Sequence, residues 1–230
     1  MENNSSARDS QAKQVQVPAG ARRLDGNLSI PEDARGTVLL AQGSRNLESD
    51  SSFPDIASVF YKAGLATLIV HLLTEDEETL DQETHFFRFN VTVLHQRIIH
   101  IAEWLLWSEG TQNLSIGYFG NGPTGGAALI AAAERPDLVH AIVATNARTD
   151  LADPYFTRVQ APTYLIVGEN DTSAVRMNRR ALAQIPAKVE GYNKIELIAG
   201  ATGLFETSYL VQKVAELASE WFARHLEPIV

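Results

Sequence analysis

Short apolar runs recur along the chain at intervals that fit a parallel β-sheet. Two runs near the start, residues 15–17 and 23–30, are joined by the turn signal Pro18-Ala19-Gly20 and predict a pair of short strands. The later runs are almost continuously apolar, as strands buried on both faces of a sheet are. They lie at residues 36–42, 66–70, 114–119, 141–145, 163–168 and 195–198.

Segments with a helical spacing of apolar residues separate these runs. They cover residues 54–63, 91–108, 124–134, 172–184 and 208–225. Strand and helix therefore alternate, which predicts a mostly parallel, doubly wound sheet with helices on both faces. We expect one α/β domain over residues 14–230, preceded by a polar tail, residues 1–13, that is disordered. The acidic run at residues 75–78 predicts a solvated loop.

Composition narrows the function classes. The net charge of −9 disfavours wide contact with nucleic acid phosphates or anionic membranes. The chain has no cysteine, which excludes disulfides, thiolate metal sites and a cysteine nucleophile. The polar N-terminus lacks the apolar core of a signal peptide, so we expect a cytoplasmic location. We expect no cofactor and no metal; the partners expected are a small-molecule ligand or substrate, with a partner protein or a homodimer left open.

Several motifs fall in one order along the chain. Gly117-Tyr118-Phe119-Gly120 leads into an Ala-rich helix, residues 161–171 form an apolar strand ending in Asp171, and residues 200–206 form a Gly-rich loop. These segments resemble the bacterial dienelactone hydrolase-like branch of the α/β-hydrolase superfamily, over nearly the whole chain after the tail. The resemblance implies the α/β-hydrolase fold, with a Ser-His-acid site at the carboxyl ends of the strands.

The chain departs from the family at two of the three triad positions. The family's nucleophile elbow reads Gly-x-Ser-x-Gly, and here Gly122 stands at the serine position. The next residue, whose N–H usually supplies half of the oxyanion hole, is Pro123, which has no N–H. The family's histidine loop reads Gly-Ala-x-His-x-Phe, and here Gly203 stands at the histidine position. Only the acid, Asp171, stays in register, so the resemblance implies a pseudo-hydrolase with a degenerate catalytic triad.

Polar residues just after the strands are the candidate site. Asp171 is the candidate catalytic residue, as a general base or a cation-binding group, and its alternative role is to cap the helix that follows. Two arginines converging on a pocket would suit an anionic substrate, although surface arginines are more common. The candidate pocket residues are Arg45, Asn46, Asn121, Gly122, Thr124, Asn146, Arg148 and Gly203.

Three functional hypotheses follow. The first is a non-hydrolytic enzyme that uses Asp171 for an elimination, cyclisation or isomerisation of a small, perhaps biosynthetic, molecule. The second is a ligand-binding protein or partner subunit without catalysis. The third is weak ester hydrolysis, either by water held by Asp171 or by Thr124, if the elbow is shifted to Gly122-Pro123-Thr124-Gly125-Gly126.

Overall fold

The computed structural model describes residues 12–43, 51–188, 192–202 and 207–228. Three candidate site residues, Arg45, Asn46 and Gly203, lie outside this part of the chain. So do the first eleven residues of the predicted tail. The last residue of that predicted tail, Lys13, is the first residue of a strand.

Eight strands form one sheet, in the order β1-β2-β4-β3-β5-β6-β7-β8. Strands β1 and β2 are antiparallel to their neighbours, and all the later pairings are parallel. The bounds are β1 Lys13–Ala19, β2 Arg22–Ser29, β3 Thr37–Gln42, β4 Ala66–His71, β5 Ile116–Asn121, β6 Ala141–Thr145, β7 Thr163–Gly168 and β8 Lys194–Ile198. The predicted strands are confirmed, with ends that shift by up to two residues.

Helices cover both faces of the sheet, so the predicted doubly wound α/β architecture is confirmed. Apolar residues of α1 and α6 pack on one face, and those of α3 and α4 pack on the other. The helices are α1 Phe53–Lys62, α2 Glu75–Thr84, α3 Val91–Leu105, α4 Pro123–Glu134, α5 Thr172–Leu182 and α6 Ser208–His225. A 3₁₀ helix, Thr149–Arg158, follows β6 and was not predicted. None of the described helices is long and apolar enough to cross a membrane.

The interpretation of the acidic run as a solvated loop is wrong. Residues 75–78 form the first turn of α2 instead. The Thr74 side chain accepts from the Glu77 N–H, and the Glu77 carboxylate accepts from the Thr74 N–H, a reciprocal cap that starts the helix. Glu77 is buried, where its carboxylate receives two hydrogen bonds from Arg97 of α3.

Two glycines allow α4 to lie close to the carboxyl ends of β5 and β6. A Cβ at Gly125 would stand 3.0 Å from the Ala147 Cβ, and a Cβ at Gly126 would stand 2.6 Å from the Arg148 carbonyl oxygen. A side chain at Gly126 would therefore force the backbone apart. This close packing fixes the start of α4 against the segment that follows β6, which is where the candidate site lies.

Candidate active site

Gly122 forms the sharp turn between β5 and α4. Its backbone angles, φ 55° and ψ −120°, fall where residues with a side chain are rarely found. Pro123 is the first residue of α4, where a missing N–H removes no helical hydrogen bond. A Cβ built on Gly122 would have no heavy atom within 4 Å among the described residues, so the space next to the turn is open.

Thr124 lies inside the turn and not at its tip. Its hydroxyl donates to the Asn121 carbonyl at 3.0 Å and accepts from the Asn121 N–H at 3.0 Å. Thr124 is only 2% exposed. The predicted shift of the elbow to Thr124 is not seen, because the strand-to-helix turn is centred on Gly122 and the Thr124 hydroxyl holds the turn together. A nucleophilic role for Thr124 stays a prediction.

Hydrogen bonds join the turn to the segment after β6. The Gly122 N–H donates to the Thr145 carbonyl at 2.9 Å, and the Gly122 carbonyl accepts from the Arg148 N–H at 2.9 Å. The Thr145 hydroxyl donates to the Asn121 side-chain oxygen at 2.9 Å. The structure thus brings together four of the predicted pocket residues at one edge of the sheet: Asn121, Gly122, Thr124 and Arg148.

Asn146 links this edge to the end of β7. It adopts a left-handed conformation, φ 45°, and its side-chain oxygen accepts from the Gly168 N–H at 3.0 Å. The Asp171 N–H in turn donates to the Gly168 carbonyl at 3.2 Å. Asn146 therefore helps to place the loop that carries Asp171 beside the loop that follows β6.

Asp171 is the N-cap of α5. One carboxylate oxygen, Oδ1, accepts from the Ala174 N–H at 2.9 Å. Within the described residues the second oxygen, Oδ2, has no hydrogen-bond partner. Asp171 thus combines the helix-capping role with a carboxylate oxygen that none of the described residues binds, and its catalytic role stays a prediction.

The two roles of Asp171 can be separated by mutation. Because Asn caps a helix about as well as Asp, we expect Asp171→Asn to change the free energy of unfolding by less than about 0.5 kcal/mol. Asp171→Ala removes the cap and should cost about 1 kcal/mol. Urea denaturation of both variants measures the difference. Equal losses in the two variants would contradict the capping role.

Arg148 is the basic residue of the segment between β6 and the 3₁₀ helix. Its Nε and Nη2 donate to the two carboxylate oxygens of Asp150, at 2.8 and 2.7 Å. These hydrogen bonds raise the pKa of Arg148 and lower the pKa of Asp150 below its ordinary range. The guanidinium also lies over the Phe89 ring, 5.8 Å from its centroid. The convergence of Arg148 with Arg45 stays a prediction, because Arg45 lies outside the described residues.

Sequence reasoning missed Phe89 and Asp150. Phe89 lies between α2 and α3, far from Arg148 along the chain, so no local spacing pairs them. The run His85-Phe86-Phe87-Arg88-Phe89 is unusually aromatic for a connection between helices. That run was the signal that could have placed this segment at a site.

The sheet order, the parallel core strands and the strand-turn-helix at Gly122 define the α/β-hydrolase fold. A dienelactone hydrolase from Anabaena variabilis is 42% identical, with 94% of this chain and 99% of that chain covered and a TM-score of 0.88. This chain therefore belongs to the dienelactone hydrolase family of α/β-hydrolase proteins. The esterase domain of a Rhodothermus marinus protein shares the fold at 16% identity, with a TM-score of 0.70 over 94% of this chain and 99% of that one.

Two Mycobacterium tuberculosis proteins, each named "Putative phosphoribosyl transferase", are 39% identical to the chain over 214 residues. The match covers 93% of this chain and 46% of each relative, so the chain spans about half the length of these curated relatives. No family model matches the chain.

Proposed function

We propose that this protein is a dienelactone hydrolase-like protein that does not hydrolyse esters at its elbow and instead acts on a small molecule without nucleophilic attack. The observation that carries the proposal is Gly122 at the tip of the elbow. A glycine offers no group that can attack a carbonyl. Pro123, directly after it, has no N–H to donate to an oxyanion.

The open space at Gly122 supports a binding role for this edge. With no side chain at the turn, a ligand can reach the backbone that a serine would cover in a hydrolase. The left-handed φ of 55° at Gly122 is a conformation that glycine adopts without strain, so the turn is stable as it stands. The glycine therefore fits an intact structure and not a damaged one.

Asp171 is the residue we propose for proton transfer. Its Oδ2 can accept a proton from a bound molecule while Oδ1 keeps the hydrogen bond to the Ala174 N–H. An elimination, cyclisation or isomerisation needs such a base and needs no covalent intermediate. In this proposal Asp171→Asn removes turnover but keeps the helix cap.

A partner-subunit function is the second candidate. The observation that favours it is the length of the Mycobacterium tuberculosis relatives, of which this chain matches 46%. The name of those relatives describes phosphoribosyl transfer, and the remaining half of their length could carry that activity. Under this second proposal, the present chain contributes ligand binding or a structural surface to phosphoribosyl transfer.

The experiment that tests the proposal measures hydrolysis of p-nitrophenyl acetate, butyrate and benzoate by the wild-type protein. We expect no rate above that of buffer with an equal mass of an unrelated protein. The variants Thr124→Val and Asp171→Asn are assayed in parallel. Ester cleavage by the wild type above this control rate would contradict the proposal, and its loss in Asp171→Asn alone would assign the cleavage to Asp171.

A further inference from the structure

Several exposed apolar side chains lie on α2 and on the connection that follows it, and one of them, Phe89, contacts Arg148 beside the elbow. Of the five large hydrophobic side chains that are exposed in the described part of the chain, three are Leu80, Phe86 and Phe89. They belong to α2 and to the connection from α2 to α3, which we call the aromatic segment, residues 85–90. The exposed fractions of Phe86 and Phe89 are 59% and 46%. Apolar surface concentrated in this way is a common sign of a binding site.

Hydrogen bonds to a buried carboxylate anchor the aromatic segment. Arg88 donates from its backbone N–H and from its Nε to the two carboxylate oxygens of Asp81, at 2.9 and 2.6 Å. Asp81 is fully buried. The Asn90 side chain accepts from the Val93 N–H and starts α3. The exposure of Phe86 and Phe89 is therefore a property of a fixed segment.

Arg148 contacts the aromatic segment at Phe89, and part of its guanidinium makes no hydrogen bond to the described residues. Asp150 takes the Nε and Nη2 donors, and Nη1 has no hydrogen-bond partner among the residues that the structure describes. The Phe89 ring and the Asp150 carboxylate together fix the plane of the guanidinium. A guanidinium held in this way presents a planar pair of donors that matches the two oxygens of a carboxylate.

The position of Arg148 connects this arrangement to the elbow. Its N–H donates to the Gly122 carbonyl at 2.9 Å, so the residue begins one hydrogen bond from the turn. Because the protein carries a net charge of −9, an anion approaches it against the overall field and needs a local cation to hold it. Arg148 is such a cation, and Phe89 offers apolar surface next to it.

We propose that the site takes an aromatic carboxylic acid, whose carboxylate pairs with Arg148 and whose ring lies against the aromatic segment. This inference rests on the proposed function and names the ligand class of that same site. Asp150 opposes the ligand, since it competes for the same guanidinium and repels a second carboxylate. The Arg148–Asp150 pair is 41% and 42% exposed, and an ion pair so exposed contributes little to stability, so a ligand can share or replace it.

The test uses 2-naphthoate as the probe and 2-naphthamide as its neutral counterpart, with isothermal titration calorimetry on the full chain. We expect saturable binding of naphthoate and binding of naphthamide at least about tenfold weaker, since a charge-assisted hydrogen bond is lost. Arg148→Gln should weaken naphthoate binding about tenfold or more. Asp150→Asn should tighten it about threefold, because the competing carboxylate is gone.

Arg158→Gln is the matched control. Arg158 also lies over an aromatic ring, 4.8 Å from the centroid of Tyr155, but at the far end of the 3₁₀ helix. This variant should bind naphthoate as the wild type does. Equal loss in Arg148→Gln and Arg158→Gln, or no loss in either, would overturn the inference.

Absence of saturable naphthoate binding to the wild type would also overturn it. Those results leave the ester assay unaffected, so the ligand class can fail while the non-hydrolytic function stands. Conversely, ester cleavage by the wild type would end the proposed function whether or not naphthoate binds.

Discussion

Arg97→Met should destabilise the protein by about 3–5 kcal/mol, the usual cost when one partner of a buried ion pair is removed. Arg97 and Glu77 are each 7% exposed, and two hydrogen bonds of 2.6 and 2.7 Å join them. Burial alone would raise the pKa of Glu77, but the hydrogen bonds from Arg97 and Thr74 lower it below its ordinary value. Without Arg97 the buried Glu77 carboxylate keeps only the more distant Arg22, whose Nε lies 3.7 Å away and whose side chain is 57% exposed. Urea denaturation at neutral pH measures the loss.

The double variant Arg97→Met/Glu77→Gln is the control for this prediction. Glutamine is neutral and can still accept from the Thr74 N–H, so the cap of α2 is preserved. We expect the double variant to be more stable than Arg97→Met alone, although it differs from the wild type at one more position. A double variant less stable than Arg97→Met would show that the buried Glu77 charge is not the cause.

Gly168→Ala should cost about 3 kcal/mol, at the upper end of what overpacking usually costs. A Cβ at Gly168 would stand 2.2 Å from the Thr202 carbonyl oxygen and 2.7 Å from that of Ala201. Both contacts are with backbone, which cannot rotate away as a side chain can. The end of β7 and the segment after β8 would have to separate, and these two segments precede Asp171 and Gly203. Thermal unfolding followed by circular dichroism measures the effect.

Gly200→Ala is the comparison for Gly168→Ala. A Cβ at Gly200 meets no atom of the described residues within 4 Å, but the residue has a φ of +74°, so the cost is that of a left-handed alanine, about 1 kcal/mol. The two variants lie in the same part of the fold. They differ in what lowers stability: backbone overlap at residue 168 and the positive φ at residue 200. If Gly200→Ala were the more damaging of the two, the close approach at Gly168 would not be the controlling feature.

The sequence predicts the fold well because the core strands are buried on both faces. Continuous apolar runs such as residues 163–168, alternating with helical segments, favour a covered parallel sheet, and β7 occupies those residues. Helix α2 was not predicted because its sequence lacks such an apolar pattern. Its first turn is acidic, and it is stabilised by the cap from Thr74 and by an ion pair with Arg97, twenty residues further along the chain. A partner so distant leaves no local pattern.

The site could be predicted only where a single turn defines it. The resemblance to the family's nucleophile elbow predicted the turn at Gly122, and the structure has the turn there. The position of Asp171 at the start of a helix was also foreseen, because Asp followed by Thr172 and Ser173 is a capping pattern. The stacking of Arg148 on Phe89 depends on how two loops meet at the sheet edge. That meeting is a tertiary contact, which residue spacing does not encode.

The measurement that tests the central claim most directly compares the wild type with the variant Gly122→Ser/Pro123→Ala/Gly203→His on the same p-nitrophenyl esters. The account predicts no hydrolysis by the wild type and measurable hydrolysis by the variant, because the variant regains a nucleophile, an oxyanion N–H and a base around Asp171. Labelling of the variant by a fluorophosphonate, followed by digestion and tandem mass spectrometry of the labelled peptide, would place the new nucleophile at residue 122. Hydrolysis by the wild type above the rate of buffer with an unrelated protein would contradict the account, since it would show that the protein cleaves esters without a side chain at the elbow.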